Sequence, residues 1–275
     1  MDADSQKTRY LEYINTPEGY DNYNDFKDFL YGKNDSLTRR LVTDHIRPFM
    51  QLLRKESVRI CDIGGGDGKR ISHIVSDLFE KDGVTTSLTF IEPSVAGSSM
   101  FEKKQGSVKG FDHIIFFNGR FEEFETTEKF DLIILIHSIF TFSDKETIRK
   151  ILDLKSENGK IIIVANDQNS FLAKLNREIS KDYSEKRFEI TDLEKIFDEK
   201  GIGYRKSEIV TSFSVAKDSF DTFSETLLKW VSLGKFHAYK EEQKRNLKQK
   251  LVSFAGSERM AGLLFKEVEV VIEIE

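Results

Sequence analysis

Glycines on alternate positions directly after an apolar run leave a chain few options. The backbone must turn sharply there between two regular elements. Val58-Arg59-Ile60-Cys61-Asp62-Ile63 is followed by Gly64-Gly65-Gly66-Asp67-Gly68-Lys69. A helical spacing of apolar residues then starts at once, with Ile71, Ile74, Val75, Leu78 and Phe79. The pattern predicts strand, glycine loop and helix, the unit by which an α/β sheet offers main-chain N–H groups to a nucleotide-sized ligand. Glycine suits the loop because it reaches left-handed backbone angles and has no side chain to hold a ligand away.

The remaining chain is consistent with such a sheet. Short apolar runs at Ser87–Ile91, His113–Phe117, Phe130–Ile136, Lys160–Ala165 and Tyr204–Phe213 read as further strands, separated by helical patterns. That alternation implies a parallel sheet with helices on both faces. Lys145–Leu154 reads as a helix stopped by Asn158-Gly159, and Thr191 reads as the cap of another, with Glu194 as its capping-box partner. The first fifty-five residues look helical. Asn34-Asp35-Ser36 serves as a cap, and Leu37, Leu41, Ile46, Phe49 and Leu53 follow at helical spacing. The stretch from Asp218 to Ser253 breaks the alternation with two more helical faces, one of them Phe220, Phe223, Leu227 and Trp230. At the end, Val268, Val270, Ile272 and Ile274 alternate with acids, which predicts a strand with one wet face.

Spacing narrows the ligand. A dinucleotide loop is G-x-G-x-x-G, whose third glycine lets helix and strand pack closely. Counted from Gly64, that slot holds Lys69, so NAD and NADP are not expected. The second strand ends in Glu92-Pro93-Ser94, and an acid at that tip can accept hydrogen bonds from both hydroxyls of a ribose. The single cysteine, Cys61, excludes a disulfide framework or a cysteine metal site and fits a reducing cytoplasm. No apolar run approaches the ~20 residues of a membrane span. The polar, acidic start is not a secretory signal, and the net charge of −5 gives no suggestion of nucleic-acid binding.

An acid followed by G-x-G-x-G, with Glu92 downstream, resembles the class I S-adenosylmethionine-dependent methyltransferases. The fuller order is Gly-Gly-Gly-x-Gly, Glu-Pro-Ser, Lys-Phe-Asp before the fourth strand, Ile-Thr-Asp-Leu opening a late helix and a helical insert before the last strand. That order is most similar to the histamine N-methyltransferase family. The resemblance implies a Rossmann-like seven-stranded methyltransferase sheet whose last strand lies between the fifth and sixth. Its organisation would be a helical lid over 1–55, a cofactor core over 56–217, a helical insert capping the substrate over 218–259, and the last strand over 260–275. It implies S-adenosyl-L-methionine as cofactor, a small-molecule acceptor, a monomer in the cytoplasm, no metal, and neither nucleic acid nor membrane as partner.

On the same resemblance, Asp62, Gly64, Gly65, Gly66 and Gly68 shape the loop around the methionine part of the cofactor. Glu92 holds the ribose, Pro93 and Ser94 fix its turn, and Arg120 and Phe121 lie beside the adenine. Ile136 and His137 follow the fourth strand, where His137 touches the methionine moiety or takes a proton from the substrate. Tyr20, Asp35, Phe140, Phe142 and Trp230 are the candidate acceptor residues, aromatics there being suited to a cationic amine. Methyl transfer needs alignment and exclusion of water rather than a covalent nucleophile. The family's asparagine before the last strand is absent from Leu264-Phe265-Lys266-Glu267, which argues against histamine itself. A small amine is the favoured acceptor. O-methylation, a macromolecular acceptor or non-catalytic binding of S-adenosylmethionine remain as alternatives.

Overall fold

A computed structural model describes residues 3–31, 36–139, 142, 145–180, 189–259 and 262–275. In chain order, α1 (Ala3–Ile14), α2 (Pro17–Tyr31), α3 (Ser36–Leu41) and α4 (Arg47–Leu53) precede the first strand. Then come β1 (Ser57–Ile63), α5 (Lys69–Asp82), β2 (Thr85–Ile91), α6 (Val95–Lys104), β3 (Phe111–Phe117), β4 (Phe130–Ile136), α7 (Lys145–Asp153) and β5 (Lys155–Asn166). The chain continues through α8 (Phe171–Ser180), α9 (Ile190–Lys200), β6 (Arg205–Ala216), α10 (Phe220–Val231), α11 (Glu241–Phe254), β7 (Gly256–Arg259) and β8 (Gly262–Ile274). Among the described residues, no helix is long and apolar enough to cross a membrane.

The strands form one sheet in the order β3-β2-β1-β4-β5-β8-β6, with β7 paired to β8. Neighbours from β3 to β5 are parallel. On β5 and β8, Lys160 bonds Glu273 while Asn166 bonds Glu267. Advancing along one strand therefore means retreating along the other, so β8 is antiparallel to β5 and the sheet is mixed. This is the expected methyltransferase order, with the last strand between the fifth and sixth.

The chain divides into two compact units. The sheet unit comprises Ser36–Ala165, Phe188–Glu208 and Val270–Glu275. Its strands expose apolar side chains alternately to either face. Ile91 joins a cluster with Ile148 of α7 and Leu193 of α9, whereas the ring of the adjacent Phe90 packs at a tilt against Phe101 of α6, with centroids 4.6 Å apart. Helices thus cover both faces. α5 buries Ile71, Ile74, Val75 and Leu78, the one-sided stripe that its sequence carries.

The helical unit comprises Met1–Asp35, Asn166–Arg187 and Ile209–Glu269. Phe171, Phe213, Phe223 and Phe265 form its central ring cluster, with Phe213 stacked on Phe265 at 5.3 Å. Trp230 is surrounded by Tyr10, Tyr13, Tyr23 and Phe26 at centroid distances of 4.8–6.1 Å.

Four local expectations are corrected. The helix expected through Leu37–Leu53 is interrupted by a π turn at Val42–Ile46, and Arg54 ends it in a left-handed conformation (φ 51°). Of its cap residues, Asn34 and Asp35 lie outside the described residues. Asn158-Gly159 does not stop a helix, since α7 ends at Asp153 and these residues lie within β5. Phe130 pairs with Lys155 and Leu132 with Lys160, so the turn-forming residues are spent on a bulge. α9 starts at Ile190 with Glu189 as cap, whose N–H donates to Asp192 Oδ2 at 3.1 Å, rather than with Thr191 and Glu194.

The fourth correction concerns β8, which has no wet face. It lies inside the sheet, and Glu267 and Glu269 are buried. Asn166 Nδ2 donates to both, at 2.7 and 3.3 Å, and the Leu172 N–H at the start of α8 donates to Glu267. Burial pushes the Glu267 carboxyl well above its ordinary range, and Glu269 adds to the rise.

Phe265 is fully buried at the centre of its ring cluster. Phe265→Ala is expected to cost about 3–5 kcal/mol, the usual range for deleting a packed core ring. Trp230 is the only tryptophan and belongs to the same unit, so urea unfolding followed by its fluorescence reads this loss directly.

Candidate functional site

Parallel pairing sets Ile63 beside Ile91 and Ile134 beside Asp62, so β1, β2 and β4 end at one edge of the sheet unit. Their tips are tied together by main-chain contacts. Gly64 N donates to Ile91 O at 2.8 Å, Ser138 Oγ to Ile63 O at 2.6 Å, and His137 N to Val164 O at 2.8 Å. Gly64 and Gly68 take φ of 75° and 68°, which other residues adopt only at a cost. Neither has room for a side chain. A Cβ would stand 2.4 Å from Ser138 Cβ at Gly64 and 2.2 Å from the Phe101 ring at Gly68.

Glu92 organises the loop. It is 7% exposed, and Gly66 N donates to its Oε2 at 2.8 Å while Ser94 N donates to its Oε1 at 2.7 Å. Ser94 caps α6, its Oγ accepting from Gly97 N at 3.2 Å. Pro93 is half-buried between them. Asp62, 5% exposed, ends β1. Burial pushes its carboxyl up to about 7, the Glu92 carboxylate adds to the rise, and Arg70 opposes it. The tip therefore combines a glycine loop, a buried carboxylate held by two main-chain N–H groups, and the N-terminus of α5, where the Lys69 N–H donates to Asp67 Oδ1 at 3.3 Å. These groups fit a nucleoside with a charged tail.

The family model for a methyltransferase domain matches residues 34–204. The chain belongs to this methyltransferase family. It is an S-adenosylmethionine-dependent methyltransferase. Among solved structures it is similar to a putative methyltransferase from Bacillus halodurans C-125, at 15% identity over 84% of this chain and 97% of that one, with a TM-score of 0.53. It is also similar to the plantazolicin methyltransferase BpumL in complex with a triazolic desmethylPZN analog and SAH, at 15% identity over 99% and 98% of the two chains, TM-score 0.53. A third is magnesium protoporphyrin IX methyltransferase from Synechocystis PCC 6803 with bound SAM, at 11% identity over 99% and 97%, TM-score 0.52. These likenesses are of fold. No curated protein matches the sequence.

The methyltransferase brings Asp62, Gly64, Gly65, Gly66, Gly68, Glu92, Pro93, Ser94, Ile136 and His137 to the tips of three adjacent strands and the loops that follow them. Lys69 opens α5 and is exposed, so helix and strand do not approach there as a dinucleotide loop requires. Arg120 is half-buried before a single 3₁₀ turn at Phe121–Glu123. Phe121 is 2% exposed and meets Phe142 edge to face at 5.9 Å, while Lys150 Nζ lies 5.4 Å from its ring centroid. Phe142 is 4% exposed and belongs to the same core cluster. Tyr20 is half-buried on α2, and Trp230 is packed among its four rings in the helical unit. Asp35 and Phe140 lie outside the described residues.

Two participants were missed by sequence reasoning. Ser138 fastens the loop, and Gly97 lets α6 approach it, since a Cβ there would stand 2.8 Å from Gly66 O. The Ser94–Gly97 spacing was a legible sign of the cap. Nothing in the sequence marked Ser138.

Two outcomes are expected. Glu92→Ala removes the carboxylate proposed to accept from the donor's ribose and frees the N–H groups of Gly66 and Ser94. Losing even one charge-assisted bond worth about 1.5–3 kcal/mol lowers affinity tenfold or more, which calorimetric titration with S-adenosylhomocysteine will measure. The second concerns pH. An acid whose folded pKa is raised contributes stability that is present below its unfolded pKa and lost as pH rises through the folded value. For Asp62 that window runs from the ordinary carboxylate range to about 7. Thermal unfolding should show the wild type losing more stability between pH 5 and pH 8 than Asp62→Asn does.

Proposed function

We propose that this methyltransferase methylates the nitrogen of a small amine. The observation that carries the reading is His137. It follows β4 at the open edge of the sheet, is half-buried, and holds φ at 57° although it is not glycine. A left-handed non-glycine residue costs roughly 1–2 kcal/mol, and such strain concentrates where a side chain must be aimed for function. The order of motifs resembling the histamine N-methyltransferase family supports the same reading. The Leu264–Glu267 stretch, where that family carries its asparagine, supports an acceptor other than histamine.

When bound, S-adenosylmethionine supplies a methyl group already activated by the positive charge on its sulfur. The protein's part is then placement and proton handling. Glu92 holds the ribose, and the loop Gly64–Gly68 fixes the tail through its main chain. Phe121, buttressed by Phe142, closes the adenine side with apolar surface that excludes water. A protonated amine has no lone pair to attack with. His137 receives the proton at an imidazole nitrogen before or during transfer. Ser138 and the His137 N–H bond to Val164 O hold the turn that presents the imidazole.

Turnover is expected with a panel of small amines and not with catechols or carboxylic acids, read by release of S-adenosylhomocysteine. Its rate should rise with pH until the amine is free. His137→Asn keeps a residue that tolerates positive φ and should lower turnover a hundredfold or more, with donor affinity nearly unchanged. Turnover confined to hydroxyl or carboxyl acceptors would overturn the amine reading and leave the methyltransferase intact.

A further inference from the structure

The dense charge of α11 has an order to it. Lys244, Lys248 and Val252 recur at every fourth residue and so share one face of the helix, with Arg245 beside them. α10 carries a matching stripe of Asp221, Glu225 and Lys229. A cleft of about 560 Å³ opens between these two faces, and the 3₁₀ turn Lys235–Ala238 adds Phe236 and His237 to its lining. Its lining residues all belong to the helical unit, whereas the glycine loop and Glu92 belong to the sheet unit. The volume falls within the range of about 300–1,000 Å³ usual for small-ligand sites.

Charge within the cleft is nearly balanced. Lys248 Nζ crosses from α11 to Asp221 Oδ1 at 2.9 Å, Lys229 meets Glu225 at 3.0 Å, and Lys244 meets Glu241 at 2.8 Å. Each of the three acids is thereby taken. Arg245 is the cation left over. It is exposed and, among the described residues, makes neither a hydrogen bond nor an ion pair; its charge is felt at Glu241, which Lys244 already holds. Apolar surface lies open beside it. Val252 is 43% exposed, Phe220 is half-buried, and the buried Phe236 ring has Lys244 Nζ 5.8 Å from its centroid.

Spare positive charge next to uncovered apolar surface suits an anion with an apolar body. The flat guanidinium takes a carboxylate or a phosphate through two parallel N–H bonds. We propose that the cleft between α10 and α11 binds a small organic anion, its head held by Arg245 and its apolar body resting on Phe220, Phe236 and Val252. An amine finds no unpaired acid among these residues, so the proposal does not rest on the acceptor reading.

Calorimetric titration of the full chain with 1-naphthoate, 1-naphthyl phosphate, the neutral 1-naphthamide and acetate tests this. The wild type should bind at least one naphthyl anion tenfold or more tightly than it binds the amide or acetate, and the tighter of the two anions identifies the head as carboxylate or phosphate. Arg245→Gln should weaken that anion tenfold or more and change S-adenosylhomocysteine by less than twofold. Val252→Glu, which sets a negative charge on the apolar floor, should have the same selective effect. Binding of neither naphthyl anion overturns the proposal. So does an amide that binds as well as the anions, since the head would then go unread, or acetate that does so, since the floor would then go unused. An anion affinity unchanged in Arg245→Gln, or a loss shared equally with S-adenosylhomocysteine, overturns it too. Should Arg245→Gln fail to fold by circular dichroism, Val252→Glu decides, and full retention of the anion in that variant overturns the proposal.

Discussion

The glycine-loop end of the sheet unit depends on one carboxylate. Glu92 accepts the N–H of Gly66 from the loop after β1 and the N–H of Ser94 from the turn into α6. Two segments twenty-eight residues apart in sequence are fixed by a side chain that itself caps the second strand. The bonds are charge-assisted and nearly out of water, where such contacts are strongest and their loss is most costly. Everything else at the tip follows from this arrangement. Gly97 must be small because α6 is drawn against Gly66, and Phe90 and Phe101 stack beneath the loop because the same contact sets its height.

A carboxylate buried for that purpose has an electrostatic consequence. Asp62 lies close enough to Glu92 for the two charges to repel, and burial has already raised the Asp62 carboxyl to about 7. An isolated pair of buried anions would be strongly unfavourable. Arg70 offsets part of this cost, and a cationic ligand would offset the rest. Two acids and one cation at the tip therefore favour a ligand that carries positive charge.

The parts legible in sequence were those governed by local rules. The strand–glycine–helix unit and the acid at the second strand's tip follow from spacing and φ preferences, while the strand order was implied by the family resemblance. The parts not legible depend on contacts distant in sequence. Ser138 reaches Ile63 across seventy-five residues. Phe142 looked like a wall of the acceptor site because it follows β4, and only packing shows its ring resting on Phe121. Asn158-Gly159 obeyed the rule for turns and was used in a bulge. No local pattern distinguishes those two uses.

β8 shows most plainly why pattern can mislead. Alternating acids and aliphatics read as a half-exposed strand, and that inference is sound for an edge or an open face. Topology places β8 between β5 and β6 instead, so its acids must be neutralised in place. The chain does this in two ways. In the sheet unit, Glu273 meets Lys160 at 2.8 Å and His45 at 3.4 Å, and the pairing with Lys160, against the pull of burial, leaves its carboxyl below the ordinary range. In the helical unit, Glu267 and Glu269 share the amide of Asn166, and burial together with Glu269 raises the Glu267 carboxyl well above its ordinary range. The two solutions respond oppositely to pH: the pair with Lys160 needs Glu273 ionised, whereas the raised Glu267 carboxyl contributes stability that is lost as pH rises through its folded value. Burial, not sequence pattern, decides which acids need either.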